Sequence, residues 1–272
     1  GDGDVYGIYA NEGVTISAPL VVNVGKVDSS KNGPVYGIYA QSGAISLSGN
    51  DMTVTATGGT SSAYGVYNAA DTPAIADNGN IGISGKLTVN LNKGSSNVGI
   101  YTGSGGTITL DGATVIIPRN FVLGIYNNNG NVIIKKNSNV TLTSDVPGSW
   151  GVYAKYGGDL LITNSTVRVS ADGYAANLEN GKLSIENSDV ELTKTNGLVA
   201  CVVNTHINAV NKIDLSGSGS VTLTASGNQT SAMIGGKVTA TPGTKLEKGT
   251  YYPDLKTYDG EYDAASDKTV LK

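Results

Sequence analysis

One four-residue string controls what this chain can fold into: an aromatic or aliphatic residue, then Gly, an aliphatic residue and Tyr. It reads Tyr6-Gly7-Ile8-Tyr9, Tyr36-Gly37-Ile38-Tyr39, Tyr64-Gly65-Val66-Tyr67, Val98-Gly99-Ile100-Tyr101, Leu123-Gly124-Ile125-Tyr126 and Trp150-Gly151-Val152-Tyr153. Degenerate copies follow at Tyr174-Ala175-Ala176-Asn177, Leu198-Val199-Ala200-Cys201 and Ser231-Ala232-Met233-Ile234, and the mean step over the nine copies is about 28 residues. A period of that length signals stacked structural units, none of which can bury its apolar side alone.

Each period carries two more segments of alternating apolar and polar residues. The second begins with Val14/Ile16, Ile45/Leu47 and Ile81/Ile83, and the third with Leu20/Val22, Met52/Val54 and Leu87/Val89. The residues between are mostly Thr, Ser, Asn and Lys, so the apolar side chains turn in and the small polar ones turn out. No segment has the i, i+3, i+4 spacing of an amphipathic helix. The expected fold is therefore all-β: a parallel β-helix, or β-solenoid, of about nine turns with three short strands per turn, spanning residues 1–245.

The link from second to third strand is short and regular. Leu47 to Met52, Leu110 to Val115, Ile162 to Val167 and Ile185 to Val190 are each five residues apart, with Gly49, Gly85, Gly112, Asn164, Asn187 or Gly217 two places after the last inward residue. Gly and Asn tolerate the left-handed backbone such a bend demands. This turn resembles that of right-handed, pectate-lyase-like β-helices, and the low-charge, Thr/Asn/Gly-rich composition resembles bacterial surface and adhesin-like proteins of that shape. The resemblance implies an architecture and a mixed Gly/Asn ladder; no enzyme motif of that superfamily stands in the chain.

Residues 246–272 break the pattern, with ten charged residues in 27 and Tyr251, Tyr252, Tyr258 and Tyr262 among them, and are expected to form the C-terminal cap that shields open strand edges. The natural chain is expected to extend upstream, or the first turn to be covered by packing. A net charge of −4, without a basic stripe, argues against nucleic acid, and no apolar stretch approaches a membrane span of ~20 residues. With one Cys (Cys201) and one His (His206), a disulfide framework, a His-based zinc site and a Ser-His-Asp triad have little to build from, and no cofactor is expected.

Three arrangements are candidates for chemistry. If Tyr6 and Ile8 turn inward, Gly7 and Tyr9 turn outward, and stacking places Tyr9, Tyr39, Tyr67, Tyr101, Tyr126 and Tyr153 in one outer column about 4.8 Å apart. Gly and Tyr vanish together in turns seven to nine, which suggests that each ring shields the bare Gly backbone. Such a flat strip offers C–H faces and hydroxyls to sugars; the bland alternative is stacking glue. A carboxylate site for polysaccharide cleavage has less to draw on: arginine occurs only at Arg119 and Arg168, Asp111, Asp189 and Asp214 lie on scattered turns, and Arg168 and Glu191 should meet as an exposed ion pair. The Thr pairs Thr53/Thr55, Thr141/Thr143 and Thr222/Thr224 could order water as regular Thr arrays do, but Arg168 and Glu191 interrupt the column, and strand preference accounts for them.

The expected function is that of a non-catalytic, secreted or cell-surface, adhesin-like protein that binds a polysaccharide or host surface protein on its lateral face. The alternatives are a structural spacer or stalk without a ligand and a pectin-lyase-like, polysaccharide-degrading enzyme.

Overall fold

The structure is a computed structural model that describes residues 3–26, 32–70, 77–103, 105–179 and 181–195, together with the backbone of the strands from Val202 onward. It contains three parallel nine-stranded sheets, each built from one strand of every turn in chain order. The first sheet runs Val5–Ala10, Val35–Ala40, Ala63–Asn68, Val98–Thr102, Leu123–Asn128, Trp150–Lys155, Ala176–Leu178, Val202–Asn204 and Ile234–Gly235. The second extends from Val14–Ile16 to Lys237–Ala240 and the third from Val21–Gly25 to Lys245–Glu247. The fold is the parallel β-helix expected from the repeat.

Residue equivalence is strict. Val14 pairs with Ile45, Ile45 with Ile81 and Ile81 with Ile108, while Met52 pairs with Leu87 and Leu87 with Val115. Like side chains thus stack on like, and the inward rows merge into one apolar core from Val14 to Leu192. Removing this apolar surface from water drives the fold, at roughly 25 cal/mol per Å². Phe121, the single phenylalanine, lies fully buried between a third-sheet strand and the next first-sheet strand, at a position the repeat did not mark.

Two expectations about register change. In turn eight Val202 pairs with Ala176 and Val203 with Asn177, so Val203, not Cys201, continues the Tyr position. In turn nine Gly235 rather than Ile234 does so. Without the Gly and Tyr markers, spacing alone misplaces these strands by two residues and by one.

The bend between second and third strands is also less uniform than its spacing. Gly112, Asn164 and Asn187 adopt φ of +67°, +46° and +47°, as the left-handed turn requires. Gly49 and Gly85 instead fill an inward position that later turns give to Ala113 and Ser138; a Cβ on Gly85 would lie 2.0 Å from the Gly49 carbonyl oxygen. In turn two the left-handed residue is Asp51, at φ +57°.

The third sheet reaches Glu247, and within residues 246–272 the strands Gly260–Asp263 and Lys268–Leu271 form an antiparallel pair. The rest of the segment expected as a cap lies outside the described residues, as do Cys201, His206, Gly217 and residues 71–76 of the long connection between Asn68 and Asn80.

Candidate functional site

The recurrent glycine decides where the tyrosines point. A Cβ on Gly7, Gly37, Gly65, Gly99 or Gly151 would fall 2.4, 2.1, 2.2, 2.3 or 2.1 Å from Val22, Val54, Val89, Ile117 or Val169, all third-sheet side chains across the core. These glycines therefore face inward, and so do the residues after them, Ile38, Val66, Ile100 and Val152, which belong to the core. Two successive inward residues interrupt the alternation, and strand pairing passes over the glycine, as in Tyr6↔Tyr36 followed by Ile8↔Ile38. The residues on either side of the pair then emerge on the same outer face.

This overturns the expected register. Tyr6 turns out and Gly7 turns in, the reverse of simple alternation. The rings do not shield a bare backbone either. At Gly7, Gly37, Gly65, Gly99 and Gly151 the opposite sheet already occupies the volume that a side chain would need, while at Gly124 the closest atom is the Gly151 carbonyl oxygen, at 2.5 Å.

The expected column is present. Ring centroids from Tyr9 through Tyr39, Tyr67, Tyr101, Tyr126 and Tyr153 are spaced 5.3, 5.5, 4.4, 5.1 and 4.9 Å. Beside it runs a second column that sequence reasoning missed, Tyr6, Tyr36 and Tyr64, spaced 5.1 and 5.0 Å. Register continues that column through Val98, Leu123 and Trp150. The two interlock edge to face: Tyr36 stacks on Tyr6 and Tyr64 and meets the edges of Tyr39 and Tyr67, each at 5.0 Å. Tyr36 is only 8% exposed, although it points away from the core.

This packing changes what the strip can present. Interplanar angles of 6°, 5° and 15° from Tyr9 to Tyr101 and of 10° between Tyr126 and Tyr153 mean that ring faces are stacked in two runs, which meet edge to face at 68° between Tyr101 and Tyr126. The outer surface therefore shows ring edges and phenolic oxygens rather than a flat platform. Exposure falls along the column, from 48% at Tyr9 to 6% at Tyr153.

The hydroxyls meet polar partners. Tyr9 donates to Gln41 Oε1 at 2.7 Å and lies 2.8 Å from Asn11 Oδ1; Tyr6 donates to Asp4 Oδ2 at 3.0 Å, Tyr126 to Asn128 Oδ1 at 3.4 Å, and Tyr153 to Glu179. Burial, followed by the Asp4 hydrogen bond, pushes the Tyr6 phenol up to about 12. Burial first, with neighbouring phenols or carboxylates after it, also pushes Tyr36, Tyr67 and Tyr153 up, and burial raises Tyr126 against the opposing pull of Lys155. These groups remain protonated donors at neutral pH and are unsuited to act there as bases or anionic nucleophiles.

Where the exposed end of the strip meets the next bend, a cleft of about 540 Å³ opens between turns one and three, lined by Asn11, Glu12, Tyr39, Gln41, Ser42 and Asn78, with Ala69 and Ala70. Its volume falls within the range of small-molecule sites. Hydrogen bonds set its walls: Ser42 donates to the Asn11 carbonyl at 2.7 Å, and Asn78 Oδ1 accepts the Gly43 N–H at 2.7 Å. The signal in the sequence was the polar residue directly after the anchor strand in successive turns, Asn11 and Gln41.

Asp111 and Asp189, weighed for catalysis, lie on different sheets three turns apart. Asp111 pairs with Lys136 at 2.9 Å and Lys135 at 3.6 Å, and the Lys136 hydrogen bond holds its carboxyl below the usual range. Asp189 sits in the third sheet opposite Thr166, and the side chain of Asp214 lies outside the described residues. Arg168 Nε approaches Glu191 Oε2 to 3.7 Å on adjacent turns, with both side chains more than half exposed. Among the described residues, no three His, Cys, Asp or Glu converge on a metal-sized site, and no helix is long and apolar enough to cross a membrane.

No family model, no curated protein and no solved structure matches this chain.

Proposed function

We propose that this chain is a non-catalytic, adhesin-like β-helix, secreted or displayed on a cell surface, that binds glycan along the lateral face carrying the tyrosine columns. Its likeness to right-handed, pectate-lyase-like bacterial surface proteins belongs to the same reading. The observation that carries it is the cleft at the exposed end of the strip, where Tyr39 and the polar side chains of Asn11, Gln41, Ser42 and Asn78 converge. Polyhydroxyl ligands are held by such clusters of amides and hydroxyls beside aromatic carbon. Because ring faces are engaged in the stacks, the contacts to a sugar are edge contacts and hydrogen bonds.

A glycan array probed with the full chain, followed by titration of the hits, tests this. Tyr9→Phe and Gln41→Ala should weaken binding while Tm stays within a few degrees. A host surface protein as ligand would give no array hit but a pull-down that the same variants abolish.

A second reading, a stalk without a ligand, is favoured by the same stacking, since rings that fill each other's faces bind successive turns together. Absence of any ligand on the array and in the pull-down would leave that reading standing. Release of reducing or unsaturated sugar from a polymer such as polygalacturonate would overturn the non-catalytic assignment.

A further inference from the structure

The charge around the cleft narrows the class of glycan; this step rests on the glycan reading. Among its described lining residues Glu12 is the one acidic side chain, and none is a lysine, arginine or histidine. Asp77, next to Asn78 in sequence, adds a second carboxylate on the connection that supplies one wall, and it accepts the Asn80 amide at 3.1 Å. The remaining lining groups with hydrogen-bonding capacity are neutral. The Tyr9 hydroxyl donates its single proton to Gln41 Oε1 at 2.7 Å, with Asn11 also within hydrogen-bond reach at 2.8 Å. That leaves the Gln41 NH₂ group as a donor for the hydroxyl or acetamido oxygens of a sugar.

A carboxylated sugar entering this site would meet Glu12 without a compensating cation, and like charges brought together at a binding surface select against the wrong partner. An uncharged sugar meets no such cost. We infer that the cleft lined by Asn11, Glu12, Tyr39, Gln41, Ser42 and Asn78 takes neutral sugars, hexoses or N-acetylhexosamines, and rejects uronates and other acidic glycans. That would set the protein apart in ligand from a fold-mate acting on acidic polysaccharide.

The test titrates the full chain with two oligosaccharides of equal length, a neutral or N-acetylated oligomer that binds on the array and an oligogalacturonate, by calorimetry at low and moderate salt. The neutral oligomer should bind about tenfold tighter or more, a gap that added salt narrows by screening Glu12. Glu12→Gln should close most of the gap and Glu12→Lys should reverse it; Glu12 is exposed, so neither change threatens the fold. Gln41→Ala should weaken the neutral ligand about fivefold or more, and unchanged binding in that variant would remove the assignment to this cleft. If oligogalacturonate binds as tightly as the neutral oligomer in the wild type, the charge selectivity is wrong while the glycan reading stands. If neither class binds, both fail together.

Discussion

A methyl group placed on Gly37 would lie 2.1 Å from Val54 Cγ1, and the same methyl would come within 2.6 Å of the Gly65 carbonyl oxygen on the next turn. The glycine is therefore part of the core packing between the first and third sheets. Gly37→Ala should cost about 1–3 kcal/mol, the range for overpacking a filled core. Turn seven shows that the position can adapt, since Ala175 is fully buried there. Combining Gly37→Ala with Val54→Ala should recover part of the Gly37 cost, because only the valine half of the clash is relieved. Urea denaturation of the single and double variants measures the coupling, and strict additivity would contradict the contact.

Tyr67 tests what the columns contribute to stability. Its ring stacks on Tyr39 at 5.5 Å and Tyr101 at 4.4 Å and meets the edges of Tyr36 and Tyr64 at 5.0 and 4.8 Å. Tyr67→Ala should destabilise by about 2–4 kcal/mol, combining lost area with lost aromatic pairing. Tyr67→Leu should restore the area term only. Equal stability of the leucine variant and wild type would show that stacking adds nothing beyond burial.

The phenols also predict an alkaline limit. In the unfolded chain tyrosine titrates near 10. In the native state burial raises Tyr36, Tyr67 and Tyr153, and burial with the Asp4 hydrogen bond takes Tyr6 to about 12. Above the unfolded value the native chain binds more protons than the unfolded one, so stability must fall as pH rises. The contribution is complete below about pH 10 and is lost from there through about pH 12 and beyond. Denaturation midpoints that stay level over this interval, read beside the phenolate absorbance, would argue that the rings ionise in place.

Ser138 tests the polar interior of the bend. Its hydroxyl accepts the Ala113 N–H at 3.1 Å and lies 2.6 Å from the Lys135 carbonyl oxygen, and the residue is fully buried. Ser138→Ala leaves the Ala113 N–H unpaired, for an expected loss of about 1–3 kcal/mol. Amide exchange at Ala113 should accelerate more than exchange at Val115 on the neighbouring strand.

Arg168 and Glu191 should matter little. Their pairing on adjacent turns was legible from the repeat, and the atoms meet at 3.7 Å between half-exposed side chains. A double-mutant cycle to alanine should give a coupling well below ~1 kcal/mol that falls further with added salt.

Much of this molecule is readable before any coordinates. Val14, Ile45, Ile81 and Ile108 share a column because each stands at the same point of its period, and the structure pairs them in that order. The column from Tyr9 to Tyr153 follows in the same way. The cleft was harder to see, because Asn11 and Gln41 mark only two of its walls, and Asn78, which closes the third, stands on a connection of different length.

By itself, the sequence determined the period, the three strands per turn and the inward rows, because parallel stacking brings equivalent residues together whatever the loops do. Only the tertiary structure decided which way the first-strand side chains point. Alternation placed Tyr6 and Gly7 on the wrong faces, since it treats each strand as isolated. The side chains of Val22, Val54 and Val89, arriving from the third sheet, take the space opposite Gly7, Gly37 and Gly65. That packing turns two successive residues inward and sends both tyrosines of turns one to three to the same outer surface, a consequence of core volume that local sequence pattern does not express.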